Sequence, residues 1–323
     1  MTGFLHRQET GAPSVVNSTP SPSRPAMQQA LVAAMPGLFV VLWSTGFIGA
    51  KFGLPHAEPF TFLSIRALIT LVLLVLIVRV LRSHWPPRPL LWVHLAVTGL
   101  LVHGCYLSGV FYAIHLGMPA GLASLLVGLQ PLLTAVLARR LLGEPVAWWQ
   151  WLGMGLGLAG IALVLHDKLD PGEALFAGFG PGAFAAALIA LVGISLGTLY
   201  QKRYCTGVSL LAGTTVQYLG MCALTVPGAF LLETRAVDWT LEFVLALAWL
   251  VLVLSIAAIL LLMALIRRGA ASRVASLFYL VPPVTALQAW LLFDERFGPQ
   301  AVLGLVVAVI GVALAVRARV PAA

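Results

Sequence analysis

The 323-residue chain is 60% hydrophobic and 9% charged, with a mean hydropathy of +1.00. That is more apolar surface than one soluble core can hide, so lipid is its solvent. Its net charge of +8 would suit nucleic acid in a soluble protein, but the basic residues sit in small groups between apolar runs, with no nucleic-acid-binding motif beside them.

Residues 1–30 are polar and rich in proline and serine (Ser18, Pro20, Ser21, Pro22, Ser23, Pro25). They read as a disordered cytoplasmic tail rather than a cleaved signal peptide, so the first helix inserts as a signal anchor. A helix needs about 20 apolar residues to cross about 30 Å of hydrocarbon. Dividing the chain at charged or Pro/Gly-rich breaks leaves ten such runs: 31–52, 60–81, 91–113, 119–139, 148–166, 181–201, 210–232, 241–266, 272–293 and 299–317. The expected fold class is therefore all-α integral membrane, with ten transmembrane helices. Three cysteines, Cys105 and Cys222 within runs and Cys205 in a basic connection, make no disulfide framework.

Placing both the N-terminus and the C-terminus in the cytoplasm makes the charges alternate. Cytoplasmic segments then hold 14 of the 19 basic residues, as the retention of Lys and Arg on that side requires. The outer side keeps Lys51, Lys168, Arg235 and Arg296, and Arg66 lies within a span. Nine or eleven spans would break this alternation.

The chain also matches itself. At an offset of 151, Ser44, Gly46, Lys51, Glu144, Gly153 and Gly160 coincide with Ser195, Gly197, Lys202, Glu295, Gly304 and Gly311; at 152, Gly117, Ala123, Ser124 and Pro131 coincide with Gly269, Ala275, Ser276 and Pro283. Each copy holds five spans, an odd number, so the second is inverted. The organisation expected is a first repeat at 31–166, an external linker at 167–180, a second repeat at 181–317 and a short cytoplasmic tail at 318–323. Inverted repeats give alternating access a geometric basis, because exchanging the conformations of the halves turns an inward-open cavity outward.

Helix 1 reads WSTGFIGAKFG (Trp43 to Gly53), followed by PFTFLSIRA (Pro59 to Ala67); helices 4 and 5 read GLASLLVGLQPLLTAVLARRLLGEP (Gly121 to Pro145) and GMGLGLAGIALVL (Gly153 to Leu165). Over nearly the whole chain this resembles the EamA family of the drug/metabolite transporter superfamily. The resemblance implies ten helices in two repeats and export of amino acids, other metabolites or toxic compounds through a central cavity. Its implied partners are a small-molecule substrate and the lipid bilayer, in a plasma membrane (the inner membrane of a Gram-negative cell), as a monomer or homodimer. The second half departs from the pattern, with Ile194 opposite Trp43 and Gln217 opposite Arg66.

A charge inside a span costs at least about 2.5 kcal/mol on insertion scales, so each is a functional candidate. Arg66, two turns into helix 2, either holds an anionic substrate group or locks helix 2 to helix 1; the plainer alternative is an ion pair with Glu58 or bonds to backbone carbonyls. Lys51 and Lys202 sit at span ends, where lysine snorkels, but their equivalence in the repeat suits a gate or helix contact. Glu144 and Glu295 are expected to pair locally with Arg139, Arg140 and Arg296. His103 and Tyr106 share one face of helix 3 near mid-membrane and turn inward, onto substrate or onto neighbouring helices. Trp43 is mid-span rather than in the interfacial belt, which suits a cavity wall or core packing. Helices 4 and 9 present Ser124 with Pro131 and Ser276 with Pro283, polar and kinkable faces adjoined by Gln130 and Tyr279. No span carries an acid at its centre, so the expected driving force is the substrate gradient or a weak proton link through His103.

No cofactor or metal set is expected. An embedded enzyme would need a nucleophile with its base, a HExxH-type set or paired intramembrane carboxylates, and none is visible. A membrane-embedded enzyme is still the main rival class, with a channel and a receptor or scaffold beside it.

Overall fold

A computed structural model describes residues 26–142, 147–166, 179–268, 277–296 and 298–317. Most of the expected linker, Glu144, Ser276 and both terminal tails apart from residues 26–30 lie outside the described residues. Regular structure there is helical: α1 (Ala26–Gly53), α2 (Pro59–Val80), α3 (Pro89–His115), α4 (Ala120–Gly128 and Gln130–Leu142), α5 (Trp148–His166), α6 (Pro181–Tyr204), α7 (Leu210–Leu232), α8 (Leu241–Ala248, Trp249–Ala258 and Ile259–Arg268), α9 (Phe278–Leu280 and Val281–Phe293) and α10 (Pro299–Arg317). Seven of these hold stretches long and apolar enough to cross a membrane, and α5, α9 and α10 hold the shorter apolar stretches Trp148–Val164, Phe278–Phe293 and Pro299–Leu314. Met35–Ala323 form one compact unit, and of Met1–Ala34 only the first turns of α1 are described.

Local chemistry sets these boundaries. Pro59, Pro89 and Pro181 open α2, α3 and α6, where a missing N–H costs nothing and a fixed φ suits the first turn. Gly117, at φ 94°, ends α3 as Met118 N–H reaches the Ala113 carbonyl at 2.9 Å, a left-handed cap that only glycine enters without strain. The helices are apolar on every side: Val72, Leu76, Ile189, Leu252 and Ile310 are exposed while Leu74, Ala190, Leu250 and Ala308 are buried. A helix with no polar stripe needs lipid outside and helices inside.

The repeat is visible in the packing. A Cβ at Gly160 or at Gly304 would lie 2.5 Å from the other's carbonyl oxygen, and one at Gly311 would lie 2.6 Å from the Gly153 carbonyl. Gly153 is the repeat equivalent of Gly304, and Gly160 of Gly311, so α5 and α10 meet antiparallel and reciprocally, as across a two-fold axis. The contact of Gly197 with Val102, between α6 and α3, is matched by that of Gly46 with Leu254, between α1 and α8.

Two irregularities also recur. A π-helical turn widens α3 at Leu100–Cys105, and another widens α8 at Trp249–Ala258, which contains the equivalent positions. Helix α4 breaks at Leu129, and α9 passes from a 3-10 turn at Phe278–Leu280 into its α-helix at Val281. Pro131 and Pro283 therefore do not kink continuous helices, as the sequence suggests. Each lies in the first turn of a new segment, where its missing N–H leaves no bond unmade.

Valine at Gly160 would push α5 off the α10 backbone and is expected to cost about 1–3 kcal/mol, the usual penalty of overpacking. Alanine at Gly155, whose Cβ meets nothing within 4 Å, is the control on the same helix. Thermal unfolding in detergent should show a drop of several degrees for Gly160→Val and none for Gly155→Ala.

Candidate functional site

A cavity of about 110 Å³ opens between the repeats, walled by Trp43 and Phe47 of α1, Arg66 of α2, His103, Tyr106 and Phe111 of α3, Ile194 of α6, Tyr218 of α7 and Leu254 and Ser255 of α8. A smaller one of about 70 Å³ shares Trp43, Phe47, Tyr106 and Ile194 with it and runs on to Ser124, Gln130 and Pro131 of α4 and Phe278 and Tyr279 of α9. The widened turns of α3 and α8 face the first chamber, and the breaks of α4 and α9 face the second. Backbone irregularity is concentrated where a cavity, not lipid, adjoins it.

Arg66 is 3% exposed. Its Nη2 donates to Ser255 Oγ at 3.1 Å, while Nε and Nη1 have no hydrogen-bond partner. Ser255 is filled from both sides, accepting from Tyr218 Oη at 2.8 Å and donating to the Leu250 carbonyl at 2.9 Å. Arg66 thus ties α2 to α8 rather than to α1, and Glu58 is not its partner. In the other half, His103 Nε2 and Gln217 Oε1 lie 3.2 Å apart, with His103 stacked on Tyr218 at 5.0 Å. Gln217 is the repeat equivalent of Arg66 and Ser255 that of His103, so these are one contact made twice with different chemistry.

Trp43 packs on Phe39 and edge-on to Phe278, with ring centroids 5.3 and 5.1 Å apart. Gln130 Nε2 donates to Thr198 Oγ1 at 3.0 Å, and Ser124 donates to the Gly121 carbonyl at 2.7 Å, within its own helix. Pro283 lies away from both chambers, in a groove with Glu295 and Arg296. Lys202 is exposed at the end of α6. Sequence reasoning missed Tyr218 and Ser255. The 152 offset from His103 pointed to Ser255, whereas nothing in the apolar run of α7 distinguishes Tyr218.

At one end of the bundle Lys51 forms an ion pair with Glu295 and lies 4.4 Å over the Phe293 ring. Glu295 also accepts from the Ala120 N–H at 3.2 Å, at the N-terminus of α4, where a carboxylate is favoured by the helix dipole. The local pairing expected for Glu295 is not formed: Arg296 pairs instead with Asp294, Nε to Oδ1 at 2.9 Å. The left-handed Asp294, φ 52°, ends α9 and turns the chain at this point. Glu233 caps α2 through the Phe60 and Thr61 N–H groups at 2.8 and 2.7 Å, and Glu58 accepts from the Thr234 N–H at 2.7 Å. The segments expected on the outer side thus gather together. Those expected inside meet at the opposite end, where Ser83 touches Ser209 and His94 touches Tyr200, both at 2.8 Å.

A multi-pass membrane protein whose two repeats enclose a cavity of this kind has the architecture of a small-molecule transporter. The profile of the EamA-like transporter family matches residues 32–166 and again 181–317, and the chain belongs to that family. It is 28% identical to the uncharacterised transporter YvbV of Bacillus subtilis, covering 90% of this chain and 92% of that one. Identity is 28% to a probable amino-acid metabolite efflux pump of Escherichia coli, over 85% and 91% of the two chains, and 30% to the inner membrane transporter YedA of that organism, over 88% and 90%. A solved crystal structure that is 22% identical superposes with a TM-score of 0.60 over 88% of this chain and 96% of its own. YvbV, the probable efflux pump and YedA are named as transporters or a pump and not as enzymes.

Hydrogen bonds from Thr234 hold the Glu58 carboxyl below its ordinary value of 4.5. The staple between the start of α2 and the end of α7 is therefore fully present above about pH 4.5 and is lost as pH falls through the lower, folded value. Glu58→Ala should lower the melting temperature across the neutral range, leave it nearly unchanged at pH values below the folded value, and so flatten the acid limb of the melting-temperature profile.

Proposed function

We propose that the protein is an alternating-access exporter of small metabolites, amino acids or related compounds among them, spanning a bacterial inner membrane ten times with both termini in the cytoplasm. The observation that carries this reading is the central cavity, built from equivalent helices of two inverted repeats, with the Lys51 and Glu295 ion pair at one end of the bundle. The lengths of the shorter apolar stretches are compatible with spanning, since mismatch is absorbed by tilt and local thinning. The probable efflux pump among the relatives supports the direction.

In this reading Trp43, Tyr106 and His103 wall the first chamber, and Ser124, Gln130 and Tyr279 belong to the second. Pro131 and Pro283 begin the segments that hinge on the breaks of α4 and α9. The Lys51 and Glu295 pair is the outer latch. By the repeat, Lys202 and Glu144 are the candidates for the corresponding latch on the cytoplasmic side.

The latch can be fixed shut. In proteoliposomes, Lys51→Cys/Glu295→Cys joined by a short bifunctional crosslinker should stop solute efflux, and reductive cleavage of the linker should restore it. An efflux rate unchanged by crosslinking would remove the outer latch from the mechanism. A growth screen of overexpressing cells against toxic amino acids and their analogues tests export itself, and resistance confined to one chemical class names the cargo. Fusion of reporters to the two ends should place both in the cytoplasm.

A further inference from the structure

The carrier reading leaves open what the cavity holds and what drives it. Arg66 is a permanent cation, 3% exposed, bonded through Nη2 to a serine whose other lone pair and proton are already used. Its Nε and Nη1 have no hydrogen-bond partner. Among the described residues no aspartate or glutamate lines either chamber. The site therefore carries one uncompensated positive charge, in a place where an unpaired ion is costly and a paired one is not.

Around this charge the wall is apolar and aromatic, through Trp43, Phe47, Tyr106 and Phe111. A carboxylate on an apolar or aromatic body fits both features: the planar anion takes the free N–H donors of the guanidinium, and the body takes the rings. An amino acid brings an α-ammonium as well, two bonds from the carboxylate's carbon. That cation finds no acid in the chamber and is repelled by Arg66.

We propose that the preferred cargo is an organic monoanion, an aromatic or branched carboxylate without a free α-amino group, seated on Arg66, and that its export is electrogenic. This rests on the carrier reading above. Arg66 is fixed in α2 and stays behind, so each turnover moves one net negative charge outward. An inside-negative potential then drives export without protons or sodium, and each 100 mV shifts the equilibrium ratio by about 50-fold, equivalent to about 2.3 kcal/mol per charge.

The full-length protein in sealed proteoliposomes tests this with phenylpyruvate and N-acetylphenylalanine as anionic probes and phenylalanine as the zwitterion of the same body. A potassium gradient with valinomycin sets the potential. Efflux of the anions should rise at inside-negative and fall at inside-positive potential, and phenylalanine should move at a tenth of the anion rate or less. Arg66→Gln should abolish anion efflux, while Arg66→Lys should retain a reduced rate with the voltage dependence intact. Because these variants are exposed to misfolding, protection of the wild-type protein against thermal unfolding by phenylpyruvate, and not by phenylalanine, gives a second readout.

Faster movement of phenylalanine than of the anions, or a rate indifferent to potential, overturns the proposal and leaves the carrier standing. Failure of every probe to move or to stabilise the protein also overturns it. If the growth screen then yields no exported compound, the carrier reading falls with it.

Discussion

Hydrocarbon offers a backbone no hydrogen bond, and this one constraint orders the structure. A helix surrounded by lipid satisfies itself through i to i−4 bonds, so any departure from that ladder has to be shielded by protein or open to an internal cavity. The wide turns at Leu100–Cys105 and Trp249–Ala258 and the discontinuities at Leu129 and Val281 all adjoin the two chambers. Each re-aims side chains that a straight helix would point elsewhere. The turn in α3 carries His103 and hands on to Tyr106, and that in α8 carries Ser255. The cavity and the irregular backbone are thus one feature.

Two-fold packing supplies positions in pairs, and the chain fills them unequally. The contact between α2 and α8 is a cation on a hydroxyl, Arg66 with Ser255, whereas the equivalent contact between α7 and α3 is an amide with an imidazole, Gln217 with His103. Backbone symmetry is kept where helices approach at glycine, as along Gly153, Gly160, Gly304 and Gly311, because there the shape decides. It is broken at the cavity wall, where the proposed cargo with one charged end needs one charged partner. Two arginines would place like charges in a single low-dielectric chamber, at about 3 kcal/mol for 5 Å even with an effective dielectric near 20.

Much of this was legible in the residues, and for a physical reason. Lipid imposes run length, charge alternation and small-residue packing directly on the sequence, so the helices and the repeat could be read from Lys51 with Lys202, Glu144 with Glu295 and Pro131 with Pro283. Candidates chosen for polarity within a span, Trp43, Arg66, His103 and Tyr106, came to one cavity because burial of a polar group in a bundle has few destinations. Partner choice across helices was not legible. Glu295 lay next to Arg296 in sequence, yet the left-handed Asp294 turns the chain at that point, and Glu295 meets Lys51, 244 positions away. Arg66 lay near Glu58, but two helical turns along a rigid rod place the guanidinium against α8, and only the packing angle of α2 decides that. Tyr218 had no signal at all, since a tyrosine in an apolar run looks the same on a lipid face as on a cavity face.

The Glu295 carboxylate joins the two ends of this argument. It neutralises Lys51 and also caps the N-terminus of α4 through Ala120. The segment it caps, Ala120–Gly128, is a single rigid rod of about 14 Å at 1.5 Å per residue, ending at the break beside the second chamber. An event at the ion pair is therefore felt at the first residue of a rod whose last residues, Val127 and Gly128, line the cavity. Releasing the lysine leaves the carboxylate to water and the helix dipole without its cap, a loss of the order of 1 kcal/mol at a helix terminus. In the proposed carrier that is small enough for a cargo to offset by binding and large enough to bias which end is shut. The ion pair and the cavity wall need no long pathway between them, because they are opposite ends of the same two and a half turns of helix.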